Sequence, residues 1–201
     1  MKWRVLITCP QLQSTIHHYH HIFAKHDIEI ELPHVVQQLS ESELLDMIHC
    51  FDGVIAGDDE FTSRVLEKAG RLKVVAKWGV GIDAIDLAAA ERLGIRVRNT
   101  PNAFTDEVAD VVMAYIILLA RQLHKLDPSV RHGGWLKIQG VSLRGKTLGV
   151  IGVGNIGRAV ARRAVVAGMS ALGYDIAPVP ASLMEETGMR LVGLDELLRS
   201  S

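Results

Sequence analysis

Short apolar runs alternate with amphipathic stretches along the first hundred residues. Residues 3–8 and 28–32 predict strands, and residues 40–49 predict a helix with Leu44, Leu45 and Ile48 on one face. A strand at 54–56, a helix at 63–69 and a strand at 72–76 follow. A helix is expected over 85–93, where Gly94 suits a left-handed C-terminal cap, and a strand over 95–98. Strands that alternate with helices in this way predict a parallel, doubly wound α/β sheet.

At Asn99-Thr100-Pro101-Asn102 the rhythm breaks, because proline holds its predecessor extended. The break marks a domain crossing, with one domain over 1–99 and a second over 100–201. Residues 106–123 predict one long helix, with Asp106 and Glu107 at its positive end. Its middle, VVMAYIILLA, is apolar nearly all round, so the helix is expected to be buried on most sides, within the fold or against another subunit. A subunit contact is the preferred expectation. Residues 128–146 read as loop. Beyond them come a strand at 147–151, a helix, a strand at 171–174, a short helix near 182–187, a strand at 190–192 and a helix from Leu194. That amounts to half of a six-stranded dinucleotide sheet.

The segment TLGVIGVGNIGRAVARRAVVAGMSALGYD, residues 147–175, carries the chemistry. Gly152, Gly154 and Gly157 stand at G-x-G-x-x-G spacing between a strand and a helix. Gly152 permits the tight turn, Gly154 keeps Cβ away from a pyrophosphate, and Gly157 lets helix and strand approach. The phosphates would rest on free amides at the helix start, around Asn155 and Ile156. Along this helix Ile156, Ala159, Val160, Ala164 and Ala167 are spaced to face a sheet. Asp175, ending the next strand, can accept both ribose hydroxyls. A 2′-phosphate would be repelled there, and Ile176, Ala177 and Pro178 offer no arginine, so NAD is expected over NADP.

A total of 22 basic and 23 acidic residues leaves a net charge of −1, which argues against nucleic acid as a main partner. With 48% hydrophobic residues, the 201-residue chain can build one or two real cores. No apolar run is long enough for a bilayer: the longest, residues 111–120, is flanked by Asp110 and Arg121. The N-terminus reads as a first strand and not as a signal peptide. Cys9 and Cys50 fit reduced thiols in a cytoplasmic protein. His17, His18, His20 and His21 lack the acid or cysteine that a metal site needs and read as a solvated face. His49, His124 and His132 stand in no catalytic pattern, and no metal ligand set is assigned.

Three blocks together resemble the NAD-dependent D-isomer-specific 2-hydroxyacid dehydrogenases, the group that includes D-3-phosphoglycerate dehydrogenase. They are Lys77-Trp78-Gly79-Val80-Gly81-Ile82-Asp83-Ala84-Ile85-Asp86; then Asn99 to Asn102 with Thr105-Asp106-Glu107-Val108-Ala109-Asp110 and Leu118-Leu119-Ala120-Arg121; and Gly145-Lys146-Thr147-Leu148 leading to Gly152-Val153-Gly154-Asn155-Ile156-Gly157 and Tyr174-Asp175. The resemblance covers residues from about 50 to the end. It implies two doubly wound parallel-sheet domains of Rossmann and flavodoxin-like type, substrate domain first, with the second incomplete. It also implies hydride transfer between NAD and C2 of a small 2-hydroxy or 2-oxo acid, with 3-phosphoglycerate among the acids to consider.

By the same resemblance, the amides of Val80 and Gly81 face the substrate carboxylate, and Val80 lies near the nicotinamide. Without it, Gly79 and Gly81 read as an ordinary turn. The family's histidine, glutamate and arginine map beyond Ser201, so no catalytic residue is assigned, and the chain alone is expected to be incomplete for catalysis. An NAD-sensing corepressor-like module and an inactive remnant are the alternatives. In phosphoglycerate-using members an arginine follows the strand matching 54–56; here Gly57-Asp58-Asp59-Glu60 is expected to repel a phosphate.

Overall fold

The apolar runs of the first hundred residues pair as parallel strands in the order that a β/α alternation produces. The computed structural model describes residues 2–201. Its elements are β1 (Trp3–Ile7), α1 (Pro10–Thr15), α2 (His20–Lys25), β2 (Ile28–Glu31), α3 (Glu41–Met47), β3 (Gly53–Ala56), α4 (Ser63–Lys68), β4 (Val74–Lys77), α5 (Leu87–Arg92) and β5 (Arg96–Arg98). They continue with α6 (Thr105–Ala120), α7 (Leu123–Arg131), β6 (Thr147–Ile151), α8 (Asn155–Val166), β7 (Ser170–Tyr174), α9 (Ala181–Thr187), β8 (Arg190–Leu191) and α10 (Leu194–Ser200).

The first sheet runs β2-β1-β3-β4-β5, all parallel, the flavodoxin-like order of a doubly wound fold. Its two faces carry separate cores. Leu6, Val54 and Val75 meet Leu44, Ile48, Val65 and Leu66 on one side, with Phe51 and Phe61 fully buried. Val5 and Ile7 meet Leu12 and Ile16 on the other. Side chains buried alternately to both faces are what a strand covered on both sides requires. Local signals fix the helix starts. Ser40 and Glu43 form a capping box on α3, Thr62 caps α4 and Asp86 caps α5. Gly94 takes φ +68°, as its cap position requires.

The second sheet runs β6-β7-β8, also parallel. Chain contacts divide the protein into two compact units between Ala103 and Phe104. The division falls a few residues after the sequence break at 99–102. Asn99 and Thr100 fall inside the first unit and bond to its loop after β4: Asn99 Nδ2 donates to the Val80 carbonyl at 2.6 Å, and the Thr100 amide to that of Gly79 at 2.9 Å.

Three expectations change. The predicted helix over 106–123 ends at Ala120, because Gln122 turns left-handed with φ +53°, and α7 then runs through the stretch expected to be loop from residue 128. Pro128 sits inside α7, where Arg131 and Asp127 are joined across it at 2.8 Å. The internal alternative for the long helix falls, because the helix is not buried on most sides within the chain, while the preferred expectation of a subunit contact is unaffected. Only Ala109 and Met113 are buried, against Ala159, Val160 and Ala164 of α8, while Val108, Val111, Tyr115, Ile117 and Leu119 are exposed. On α8, Ala159, Val160, Ala161 and Ala164 form the buried face, and Ile156 and Ala167 lie outside it. Arg163 pins α8 to α6 with bonds to Asp106 at 2.9 Å and Asp110 at 2.8 Å, which hold its guanidinium charge more firmly than usual.

Candidate functional site

In the second unit the chain leaves β6 through Gly152, whose φ of +86° is unfavourable for any residue with a Cβ. The Gly152 amide donates to the Tyr174 carbonyl at 2.8 Å, tying the turn to the end of β7. The Val153 amide donates to Asp175 Oδ2 at 2.6 Å, and Ala177 donates to Oδ1 at 2.8 Å. Arg158 reaches back from α8, its Nε donating to the Val153 carbonyl at 2.8 Å. The amides of Ala177, Val153 and Ile176, with Arg158 nearby, hold the Asp175 carboxyl below the ordinary carboxylate range, and so keep it ionised.

Gly154 caps α8 in extended conformation with no side-chain bond, and no acid occupies the first helical turn. With no acid of its own in the first turn, the positive end of α8 suits an anionic ligand. A Cβ on Gly154 would meet nothing within 4 Å, so a ligand has room to approach the backbone. A Cβ on Gly157 would collide with the Gly152 carbonyl oxygen and lie 3.0 Å from Val150 Cγ1, which makes this glycine a helix–strand contact point. Open space at the second glycine, crowding at the third and an ionised acid on the next strand fit a dinucleotide. Gly152, Gly154, Asn155, Ile156, Gly157 and Asp175 share this neighbourhood, and Ile156 is exposed.

In the first unit, Val80 and Gly81 lie in the loop after β4. They line a pocket of about 320 Å³ together with Asp58, Lys77, Trp78 and Asp83. The pocket opens at the carboxyl ends of β3 and β4, where open α/β sheets bind ligands. Val80 and Gly81 are exposed, and no backbone bond from either amide is formed within this unit, an arrangement that suits an anion. The adjoining carbonyls are satisfied. That of Gly79 accepts from the Thr100 amide and hydroxyl, and that of Val80 accepts from Asn99. Asn99 and Thr100 therefore shape the loop, a role that their sequence position does not announce.

The acids of loop 57–60, alike in sequence, take different roles in the structure. Asp59 is buried and does not face the pocket. Its carboxylate accepts from the Leu39 amide at 2.6 Å, the Gly57 amide at 3.1 Å and the Thr8 hydroxyl. Asp58 lines the pocket but pairs with Lys77 at 2.7 Å. Three free acids thus reduce to one anchor, one ion pair and Glu60. The histidine cluster is split by a break at Tyr19 between a 3-10 turn and α2, and among the described residues no group of three or more His, Cys, Asp or Glu could hold a metal. No helix of the described chain is long and apolar enough to cross a membrane.

Comparison with known proteins agrees with this geometry. Residues 5–191 match the family described as D-isomer specific 2-hydroxyacid dehydrogenase, catalytic domain. The D-3-phosphoglycerate dehydrogenase of Methanocaldococcus jannaschii is 40% identical over 161 residues, covering 79% of this chain and 30% of the relative. The hydroxypyruvate reductase of Thermotoga maritima is 36% identical over 180 residues, covering 88% of this chain and 56% of the relative. The structure of D-lactate dehydrogenase from Aquifex aeolicus, complexed with NAD and lactic acid, superposes with a TM-score of 0.83 at 27% identity, over 98% of this chain and 58% of that one. The chain thus spans about a third to three fifths of the length of these relatives. With its parallel α/β sheets, its glycine turn and a family match over residues 5–191, the chain belongs to the D-isomer-specific 2-hydroxyacid dehydrogenase family.

Proposed function

We propose that this chain supplies the NAD-holding turn and the substrate-carboxylate loop of an oxidoreductase acting on small 2-hydroxy and 2-oxo acids. One observation carries the reading: Asp175, ionised and anchored to the Val153 amide, stands beside the glycine-capped start of α8, whose first turn holds no acid. The carboxylate has lone pairs left for the two ribose hydroxyls, and the first amides of α8 receive the pyrophosphate. Val80 and Gly81 offer their amides to the substrate carboxylate. Such a nucleotide would supply the hydride acceptor or donor for C2 of the acid, and the hydroxyl proton would need a general base. No residue of this chain is assigned that proton, and the substrate loop does its work by orienting the carboxylate.

The test is a pair of titrations with NADH and NADPH, followed by nicotinamide fluorescence. NADH should bind at least about tenfold tighter, the factor that about 1.4 kcal/mol of repulsion at Asp175 produces. Asp175→Ala should narrow the ratio. Equal affinity for the two nucleotides in the unaltered chain defeats the assignment of Asp175.

We further propose that α6 meets a second copy of the chain. Val108, Val111, Tyr115 and Leu119 are exposed on one helix whose other side is already packed on α8. A cytoplasmic setting suits the free thiols Cys9 and Cys50.

A further inference from the structure

We propose that the Asp58–Lys77 pair sets the substrate class, admitting small 2-oxo monoacids with an uncharged far end and rejecting those bearing a phosphate. The proposal rests on the reading of residues 78–81 as the substrate loop. Lys77 ends β4, and its side chain is only 9% exposed. Its ammonium donates to Asp58 Oδ1 at 2.7 Å and to the Gly57 carbonyl, so its charge is already matched. Asp58 itself is 72% exposed, on the pocket wall. Asp83 adds a second carboxylate to the lining. The lining side chains therefore carry two negative charges against one positive.

A substrate's first carboxylate can use the Val80 and Gly81 amides. A second anion finds no unspent cation on this wall. To recruit Lys77 it must displace Asp58, which then remains nearby as an uncompensated like charge. The loop does not drift to relieve this, because Gly57 is held from behind. Its amide donates to the Thr8 hydroxyl and to buried Asp59, each at 3.1 Å, and Asp59 is itself held by the Leu39 amide. A hydrogen, methyl or hydroxymethyl group at the far end meets no such opposition.

Trp78 lines the pocket and reports occupancy by its fluorescence, isolated in a Trp3→Phe/Trp135→Phe background. The chain, saturated with NADH, is titrated with glyoxylate, hydroxypyruvate and 3-phosphohydroxypyruvate. Hydroxypyruvate should bind at least about tenfold tighter than its phosphate ester. Asp58→Asn should shrink that ratio and Asp58→Arg should reverse it, which a merely structural role for an exposed side chain would not do. Equal or tighter binding of the phosphate ester, or a ratio indifferent to both substitutions, overturns the selectivity while leaving the substrate loop in place. If NADH binds yet none of the three acids quenches Trp78, the substrate loop itself is refuted and the selectivity falls with it.

Discussion

Replacing Gly157 with alanine sets two effects of opposite sign against each other. Alanine is a better helix former than glycine by about 1 kcal/mol, so on propensity alone Gly157→Ala should stabilise α8. The structure opposes this. The new Cβ would overlap the Gly152 carbonyl oxygen and lie 3.0 Å from Val150 Cγ1. Gly152 cannot rotate clear, because its amide is bound to Tyr174 and its φ of +86° is already special. Overpacking of this kind costs about 1–3 kcal/mol, and moving backbone belongs at the upper end. The net expectation is a loss of about 1–2 kcal/mol in the second unit, read as a lower urea midpoint, with NADH affinity reduced at least about tenfold as the turn shifts. Gly154→Ser is the control. It enters open space at the helix cap, where serine is only slightly favoured over glycine, so stability should hold or rise by about a few tenths of a kcal/mol while NADH binding still falls. A Gly157→Ala chain as stable as the parent, or more so, refutes the packing argument.

Two further outcomes follow from other parts of the chain. The Arg4 amide, with Arg71 bonding at 3.0 Å, holds the Asp52 carboxyl below its usual value of 3.8. A depressed folded value gives stability that is complete above the unfolded value and lost as pH falls through the folded one. Asp52→Asn should therefore cost about 1 kcal/mol at neutral pH, with the gap to the parent closing below about pH 4. Urea midpoints from pH 2 to 7 check this, and a gap that widens in acid contradicts it. On α6, Tyr115→Glu should leave a monomer where the parent sediments as a dimer, with the thermal transition of the first unit unmoved. Unchanged mass for the variant removes α6 from any interface.

The β/α rhythm was legible because each strand is a short apolar run and each helix start carries a local signal, as Ser40, Thr62 and Asp86 show. The glycine turn was legible for the same reason: its spacing encodes its shape. What escaped is non-local or energetically close. Nothing in Arg121-Gln122-Leu123 announces a break, since a left-handed glutamine costs only about 1–2 kcal/mol, which surrounding contacts can offset. Pro128 misled because proline in a helix interior is a cost and not a prohibition, here partly met by the Asp127–Arg131 pair. The acids at 58 and 59 look equivalent in sequence, yet one is buried beside Thr8 and Leu39 and the other faces solvent with Lys77. Partners some 20 to 50 residues away decide such roles, and no local pattern records them.

The bond from the Val153 amide to Asp175 bears on any attempt to re-engineer the nucleotide preference. Charge reversal at Asp175 is the obvious route to accepting a 2′-phosphate. Here the same carboxylate also braces the turn that would cradle the pyrophosphate, so the two determinants are mechanically coupled. A single substitution would relax specificity and slacken the cradle together, and variants selected for the phosphorylated nucleotide should carry a second change that ties Val153 down by another route.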